Sequence, residues 1–332
     1  MIQNHSPIDR MLSTSRPLGL KLGISILILL VPFGAAALDG VLGDVFRTGF
    51  WRVMMLPAVF IIYVWAISPV ISRMSAETIQ AARSLVSMDE ASFAQLVTAA
   101  SRTNPVYEWI ALIIGVALGL FGTFSTDLGQ YAFWIKIYWY VGMCLMYGFL
   151  AWAIYTSFAS TRLNAAIHRQ QLSFDIFDLT PFDAFGRYSL ALALAFVGGM
   201  TISLVLTFQV QSLFVFEFWI VYLILAVITV LIFFMSMRPT HQVLSKEKYR
   251  ELGVVREHIL RASRDLMRHL EQNQVTSQAA SEINALAVYE QRLQAARTWP
   301  YNTSMLRTLF FSVLIPLGSL LVKEALEFLA GG

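Results

Sequence analysis

Cys144 is the only cysteine among 332 residues, which rules out disulfides and multi-thiolate metal sites within one chain. Charge is equally scarce, at 14% Asp, Glu, Lys and Arg. The long apolar stretches are almost empty of ionisable groups at their centres. Proton relays, ion-coupled carriers and intramembrane hydrolases usually place Asp, Glu, His or Lys there. All five histidines lie outside those stretches, and Glu257-His258 lacks the second histidine of a helical zinc site. No Walker-type loop, nucleophile elbow or dinucleotide fingerprint occurs. An enzyme is therefore not expected, nor a cofactor or bound metal. No aromatic–basic interleave marks a nucleic-acid surface. The net charge of +3 reflects the charge bias of the loops. There is no internal repeat, which argues against a repeat-built carrier.

What is present is hydrophobic residues, 57% of the chain. They gather in seven runs, at 20–38, 53–71, 109–124, 132–155, 190–207, 218–237 and 309–322. Most reach or approach the length that crosses about 30 Å of hydrocarbon. The seventh is short between Arg307 and Lys323, whose side chains can snorkel outward. The expected fold is all-α: a polytopic membrane protein of seven transmembrane helices, with a cytoplasmic helical hairpin between the sixth and seventh. The chain divides into a six-helix transmembrane region with loop helices (1–237), the hairpin (238–304), and the seventh helix with an outer C-terminus (305–332).

Of the 24 Lys and Arg residues, all but Arg47, Arg52, Lys136 and Lys323 fall on the side of the N-terminus. The positive-inside rule places that side in the cytoplasm and the C-terminus outside, in the inner (plasma) membrane. The polar N-terminal segment ends in Lys21 before a long run without a small-residue cleavage site, so the first run reads as an uncleaved span.

The outer loops are short, and the inner loops carry the soluble structure. In the first, Ser75 and Ser87 are candidate caps of two short helices. In the second, Phe174, Phe177, Phe182 and Phe185 alternate with Asp175, Asp178 and Asp183, and Thr180-Pro181 resembles a helix start. Turn and cap roles suit these carboxylates better than a metal, because no glycine-centred calcium loop surrounds them. In the third, Leu252, Val255, Ile259, Ala262 and Leu266 repeat at 3-4 spacing. That helix covers about 246–271. A polar turn at 272–278, with Thr276 or Ser277 as cap, precedes a second helix marked by Ala279, Ile283, Leu286 and Leu293. The stripe needs a cover, either inside the hairpin or against a neighbouring subunit. Its five residues are candidate oligomer contacts.

The seventh run carries the most suggestive pattern. Thr308, Ser312, Pro316, Ser319, Lys323 and Glu327 share one helical face. A polar stripe must face protein or water, so these residues are candidates for a pore lining or for close helix packing. Gly115, Gly119 and Gly122, and likewise Gly199, Ser203 and Thr207, read as packing seams. Pro32, Pro57 and Pro69 bend or cap the first two spans. Lys136 among Trp134, Tyr138, Trp139 and Tyr140 reads as an outer aromatic belt, with Trp109, Trp299 and Tyr301 at the inner interface.

Trp299-Pro300-Tyr301-Asn302-Thr303 followed by Leu314-Ile315-Pro316-Leu317-Gly318-Ser319, together with Phe174-Asp-Ile-Phe-Asp178 before Gly186-Arg187, resembles a bacterial family of seven-span membrane proteins. That resemblance covers the C-terminal half and implies no activity. The span count, orientation and inward-projecting helices are similar to the insect olfactory and gustatory receptor channels. This second resemblance implies a tetrameric cation channel, with the last span lining the pore and the inner helices forming a shared anchor. The Thr-Tyr and Gln-Phe signature of that family's last span is not found here. The expected function is an oligomeric ion channel or channel-like receptor, surrounded by membrane lipids, with its small-molecule ligand undefined. A membrane scaffold or sensor acting through the hairpin, or a small-molecule carrier, are the alternatives.

Overall fold

The structure is a computed structural model and describes residues 18–101, 104–124, 132–170, 172, 174–207, 216–271, 277–314 and 318. The helices are α1 Leu18–Leu38, α2 Leu42–Arg47, α3 Trp51–Leu85, α4 Glu90–Ser101, α5 Pro105–Phe124, α6 Phe133–His168, α7 Asp183–Thr207, α8 Phe216–Glu271 and α9 Ser277–Ala295, followed by α10 Thr303–Leu314. Among the described residues there is no strand, and Val86 and Leu172 form an isolated antiparallel bridge.

Six helical stretches among the described residues are long and apolar enough to cross a membrane. They comprise α1, α3, α5, α6, α7 and the first half of α8. Their outward side chains are large and uncovered; Phe121 on α5 is 75% exposed and Leu223 on α8 is 65% exposed. Surfaces of that kind on successive long helices belong in lipid. The chain is a multi-pass helical membrane protein. The seventh apolar run begins as α10, and Pro316, Ser319, Lys323 and Glu327 lie outside the described residues.

Several of these helices outrun the hydrocarbon. α3 has 35 residues, α6 has 36 and α8 has 56. Ser75 therefore caps nothing, because α3 passes through it and continues to Leu85. The break comes afterwards, where the Arg83 guanidinium donates to the Val86 carbonyl at 3.2 Å. The carboxylate that starts α4 is Asp89, not Ser87, and its Oδ2 accepts the Ser92 N–H at 3.0 Å. Hydrogen bonding from the Ser92 side chain, and then from its N–H, holds the Asp89 carboxyl below its ordinary range.

The expected boundary at 237/238 falls inside α8, which runs through Pro239. Proline removes one helical hydrogen bond, and neighbouring packing holds the helix together. Met237 and Leu244 on either side are fully buried, and the Ser189 hydroxyl of α7 donates to Ser236 of α8 at 2.8 Å. Beyond the proline, Glu257–Arg261 and Asp265–Arg268 pair along the helix surface and support an exposed segment.

At the centre of the bundle, Ile71 and Met74 of α3, Phe158 of α6, Tyr188 and Leu192 of α7 and Ile232 of α8 form one apolar cluster. α5 attaches to α6 through glycine. A Cβ on Gly115 would lie 2.8 Å from the Gly148 Cα, and one on Gly119 2.9 Å from the Met143 carbonyl oxygen. Gly122 faces open space, so the seam is two glycines long. A second cluster joins the end of the bundle opposite the α1–α2 connection, here called the base. There Ala82, Leu85, Phe93, Leu163, Phe182, Phe185 and Leu244 pack together.

Candidate functional site

The base is organised around the 174–182 segment. Asp175 Oδ1 accepts the Phe177 N–H at 2.9 Å, and Asp178 Oδ1 accepts the Thr180 N–H at 3.0 Å. These turns set Phe174 edge-on to buried Phe182, with centroids 5.1 Å apart. They also bring Ile176 into a core with Leu252, Val255 and Leu293. The bonds to Thr180 hold the Asp178 carboxyl low. Both carboxylates thus do the turn and cap work expected of them.

α9 runs back along the distal part of α8. Arg256 donates to Glu290 at 2.7 Å, Tyr289 to Glu251 at 3.1 Å, and the Lys248 ammonium to the carbonyls of Gln294 and Ala296 at 2.6 and 2.8 Å. The lysine thereby satisfies the end of α9, where carbonyls lack helical partners. Of the five stripe residues, Leu252 and Val255 are buried by the chain's own Ile176 and Leu293, and Ile259 packs on the same cluster. Ala262 and Leu266 are half-buried.

Between the 174–177 segment, α8 and α9 lies a cavity of about 450 Å³. Its walls include the rings of Phe174, Phe177 and Tyr289, and the charged groups Asp175, Glu247, Glu251 and Arg292. Phe177 and Tyr289 meet edge to face at 5.7 Å. The Arg292 guanidinium lies over the Phe177 ring at 5.1 Å. Arg250 pairs with Glu247 and reaches Glu251 at 3.9 Å. Desolvation raises the Tyr289 phenol above its ordinary range, and so do its bond to Glu251 and the negative charges of Glu251 and Asp175, against Arg292. The site is thus electronegative with aromatic walls.

A second constellation ties α10 to the bundle. Trp299 stacks on His241, and its ring also meets Phe234 and Tyr301 at 6.2 and 5.4 Å. Tyr301 in turn leans on Phe233 at 6.1 Å. The Pro300 carbonyl sits against Gly186, where an added Cβ would come within 2.5 Å of its oxygen. Asn302 Oδ1 then accepts the Met305 N–H at 2.8 Å and caps α10. Leu309 is buried with Ala193, Phe233 and Met237. Thr308 is exposed and Ser312 half-buried. The 299–303 and 186–187 motifs therefore meet, and the 174–178 motif forms the neighbouring cavity.

His241, Glu247, Glu251, Tyr289 and Arg292 did not stand out in the sequence. The available signal was the spacing of Glu247 with Glu251 and of Tyr289 with Arg292, which puts each pair on one helical face. Asp39 was equally silent. Its carboxylate accepts the backbone N–H groups of Trp134 and Ile135 at 3.1 and 2.8 Å and caps α6 from another segment.

The chain matches no family model, no curated protein and no solved structure.

Proposed function

We propose that this protein is a subunit of an oligomeric membrane ion channel, or channel-like receptor, whose last span lines a shared pore. The observation that carries the reading is the polar face of the run that starts as α10. The sequence spaces Thr308, Ser312, Pro316, Ser319, Lys323 and Glu327 three and four residues apart, as one helical face would, and Thr308 at the start is exposed rather than covered by the chain's own helices. Hydroxyls and charges in a span need protein or water beside them, and a ring of identical faces around water supplies it. The attachment of α10 to α8 through Trp299 and Tyr301 links that span to the helices at the base.

In this reading seven helices span the inner membrane, and the base lies in the cytoplasm with the N-terminus. The distal half of α8 and α9 form a cytoplasmic hairpin, and the C-terminus is outside. The bias of Lys and Arg supports the orientation. Cysteines placed at Ser245 and Gln274 then resist an impermeant thiol reagent in intact cells, while one at Gly332 is labelled. The reverse pattern overturns the orientation.

The test of function is reconstitution in a planar bilayer after the subunit number has been counted in nanodiscs. A symmetric ring, with four subunits expected from the receptor resemblance, should conduct. Ser319→Phe should block the current, and Lys323→Glu should shift selectivity towards cations. Conductance indifferent to both changes sinks the pore assignment. A folded, monomeric, silent protein leaves a scaffold or sensor acting through the hairpin.

A further inference from the structure

We infer that the cavity at the base is a binding site for a linear aliphatic polyamine, held between the 174–177 segment and helices α8 and α9. The inference concerns binding and does not require the protein to conduct.

The cavity's size comes first. About 450 Å³ falls within the range of sites that enclose small organic ligands, and far exceeds the space of a single ion. Its charge comes second. Asp175, Glu247 and Glu251 face it against Arg292, and Arg250 pairs with Glu247 and reaches Glu251; three acids against two guanidiniums leave the site negative, so an anion is disfavoured there and a cation attracted.

The arrangement of the acids then selects among cations. Among the described residues no three His, Cys, Asp or Glu side chains converge as metal ligands do. Asp175 comes from the loop, and Glu247 and Glu251 from successive turns of α8. Carboxylates spaced around a cavity suit a ligand that carries several separated positive charges. Between those charges the walls are rings. Phe174 is braced from behind by Phe182, and Phe177 and Tyr289 form an edge-to-face corner. Such surfaces accept methylene chains by apolar contact and ammonium groups by attraction to the ring face.

The chain itself demonstrates the second property. Arg292 lies over Phe177 within 5.1 Å, so this wall already holds a tethered cation. Tyr289 spends its proton on Glu251 and leaves its oxygen free to accept from an ammonium N–H. Carboxylates and rings lining one cavity thus match the ammonium groups and methylenes of one ligand. A compact quaternary ammonium would use the rings but reach few of the acids. A divalent metal would use the acids but find no converging site.

The probes are spermidine, putrescine, tetramethylammonium and magnesium, titrated into the full-length protein in nanodiscs of neutral lipid at constant ionic strength. Binding is followed by calorimetry and by thermal unfolding. Spermidine should bind saturably and more tightly than putrescine, with tetramethylammonium and magnesium far weaker. The isosteric variants Asp175→Asn and Glu251→Gln should each weaken spermidine by about tenfold, the scale of one charged hydrogen bond. Glu257→Gln, elsewhere on α8 and paired with Arg261, should leave the isotherm unchanged. Equal binding of magnesium, or indifference to Asp175→Asn and Glu251→Gln in folded protein, overturns the site. So does the absence of saturable spermidine binding to folded parent protein. Spermidine binding without conductance upholds the site and counts against the channel reading. Conductance without spermidine binding does the reverse.

Discussion

The indole of Trp299 lies flat on the imidazole of His241, with centroids 3.9 Å apart and planes 6° from parallel. The His241 Nδ1 is 3.1 Å from the Thr298 carbonyl. Since a carbonyl only accepts, Nδ1 carries a proton in this arrangement. One histidine on α8 thus fixes both the backbone and the ring at the entrance to α10.

Trp299→Ala removes the stack and the ring contacts with Phe234 and Tyr301. Large-to-small aromatic replacements cost about 3 kcal/mol or more. Thermal unfolding in nanodiscs should show a clear loss, with Trp299→Phe retaining much of it. A parent-like transition for the alanine variant would mean the aromatic clamp contributes nothing.

Gly186 and Gly253 should respond in opposite directions to alanine. At Gly186 the new methyl meets the Pro300 carbonyl oxygen, and overpacking of that kind costs about 1–3 kcal/mol. At Gly253 nothing lies within 4 Å, so alanine gains about 0.5–1 kcal/mol of helix propensity. Paired unfolding measurements decide the matter; equal shifts would contradict the packing at position 186.

Leu293 is the fully buried anchor of α9, whereas Val288 on the same helix is 51% exposed. Leu293→Ala should cost about 2–5 kcal/mol and speed amide exchange throughout α9. Val288→Ala should change little. Protection of α9 that survives the loss of Leu293 would show that the pairing with α8 is held elsewhere.

The Arg256–Glu290 contact predicts the acid response of the same helix pair. Its hydrogen bond from Arg256 depresses the Glu290 carboxyl. A depressed carboxylate contributes stability above its unfolded value, about 4.3 for glutamate, and loses it as pH falls through the lower folded value. Amide exchange in α9 should accelerate across that acidic window, and less so in Glu290→Gln. An identical acid response in the variant would assign the effect to other groups.

Hydrophobic runs made the membrane class legible, because the hydrocarbon thickness imposes a length that the sequence displays directly. Leu252, Val255 and Ile259 of the five-residue 3-4 stripe pack on Ile176 and Leu293, for periodicity records which side of a helix needs burial. It could not say what covers it. Part of the cover comes from Ile176, far away in the chain, and its arrival depends on the turns at Asp175 and Asp178. The helix ends were less readable. Ser75 has the residue type of a cap, yet burial of Thr78, Ala82 and Leu85 carries α3 onward. Pro239 has the residue type of a stop, yet packing around Met237 and Leu244 carries α8 through it. Local propensity was overruled wherever a buried face continued. The cavity was hidden for a related reason: its walls come from three segments whose meeting no single window of sequence records.

The unbroken course of α8 makes it a lever. Its 56 residues correspond to about 84 Å of rigid rod, of which about 48 Å lies beyond Pro239. With the proline as fulcrum, a tilt of about 5° sweeps the far end through about 4 Å on that length. A tilt too small to notice among the membrane helices thus corresponds to a displacement the size of an atomic contact at the far end of α8. Force applied at that far end returns along the same arm, reduced in distance and multiplied in strength, to the turn of helix that holds Trp299.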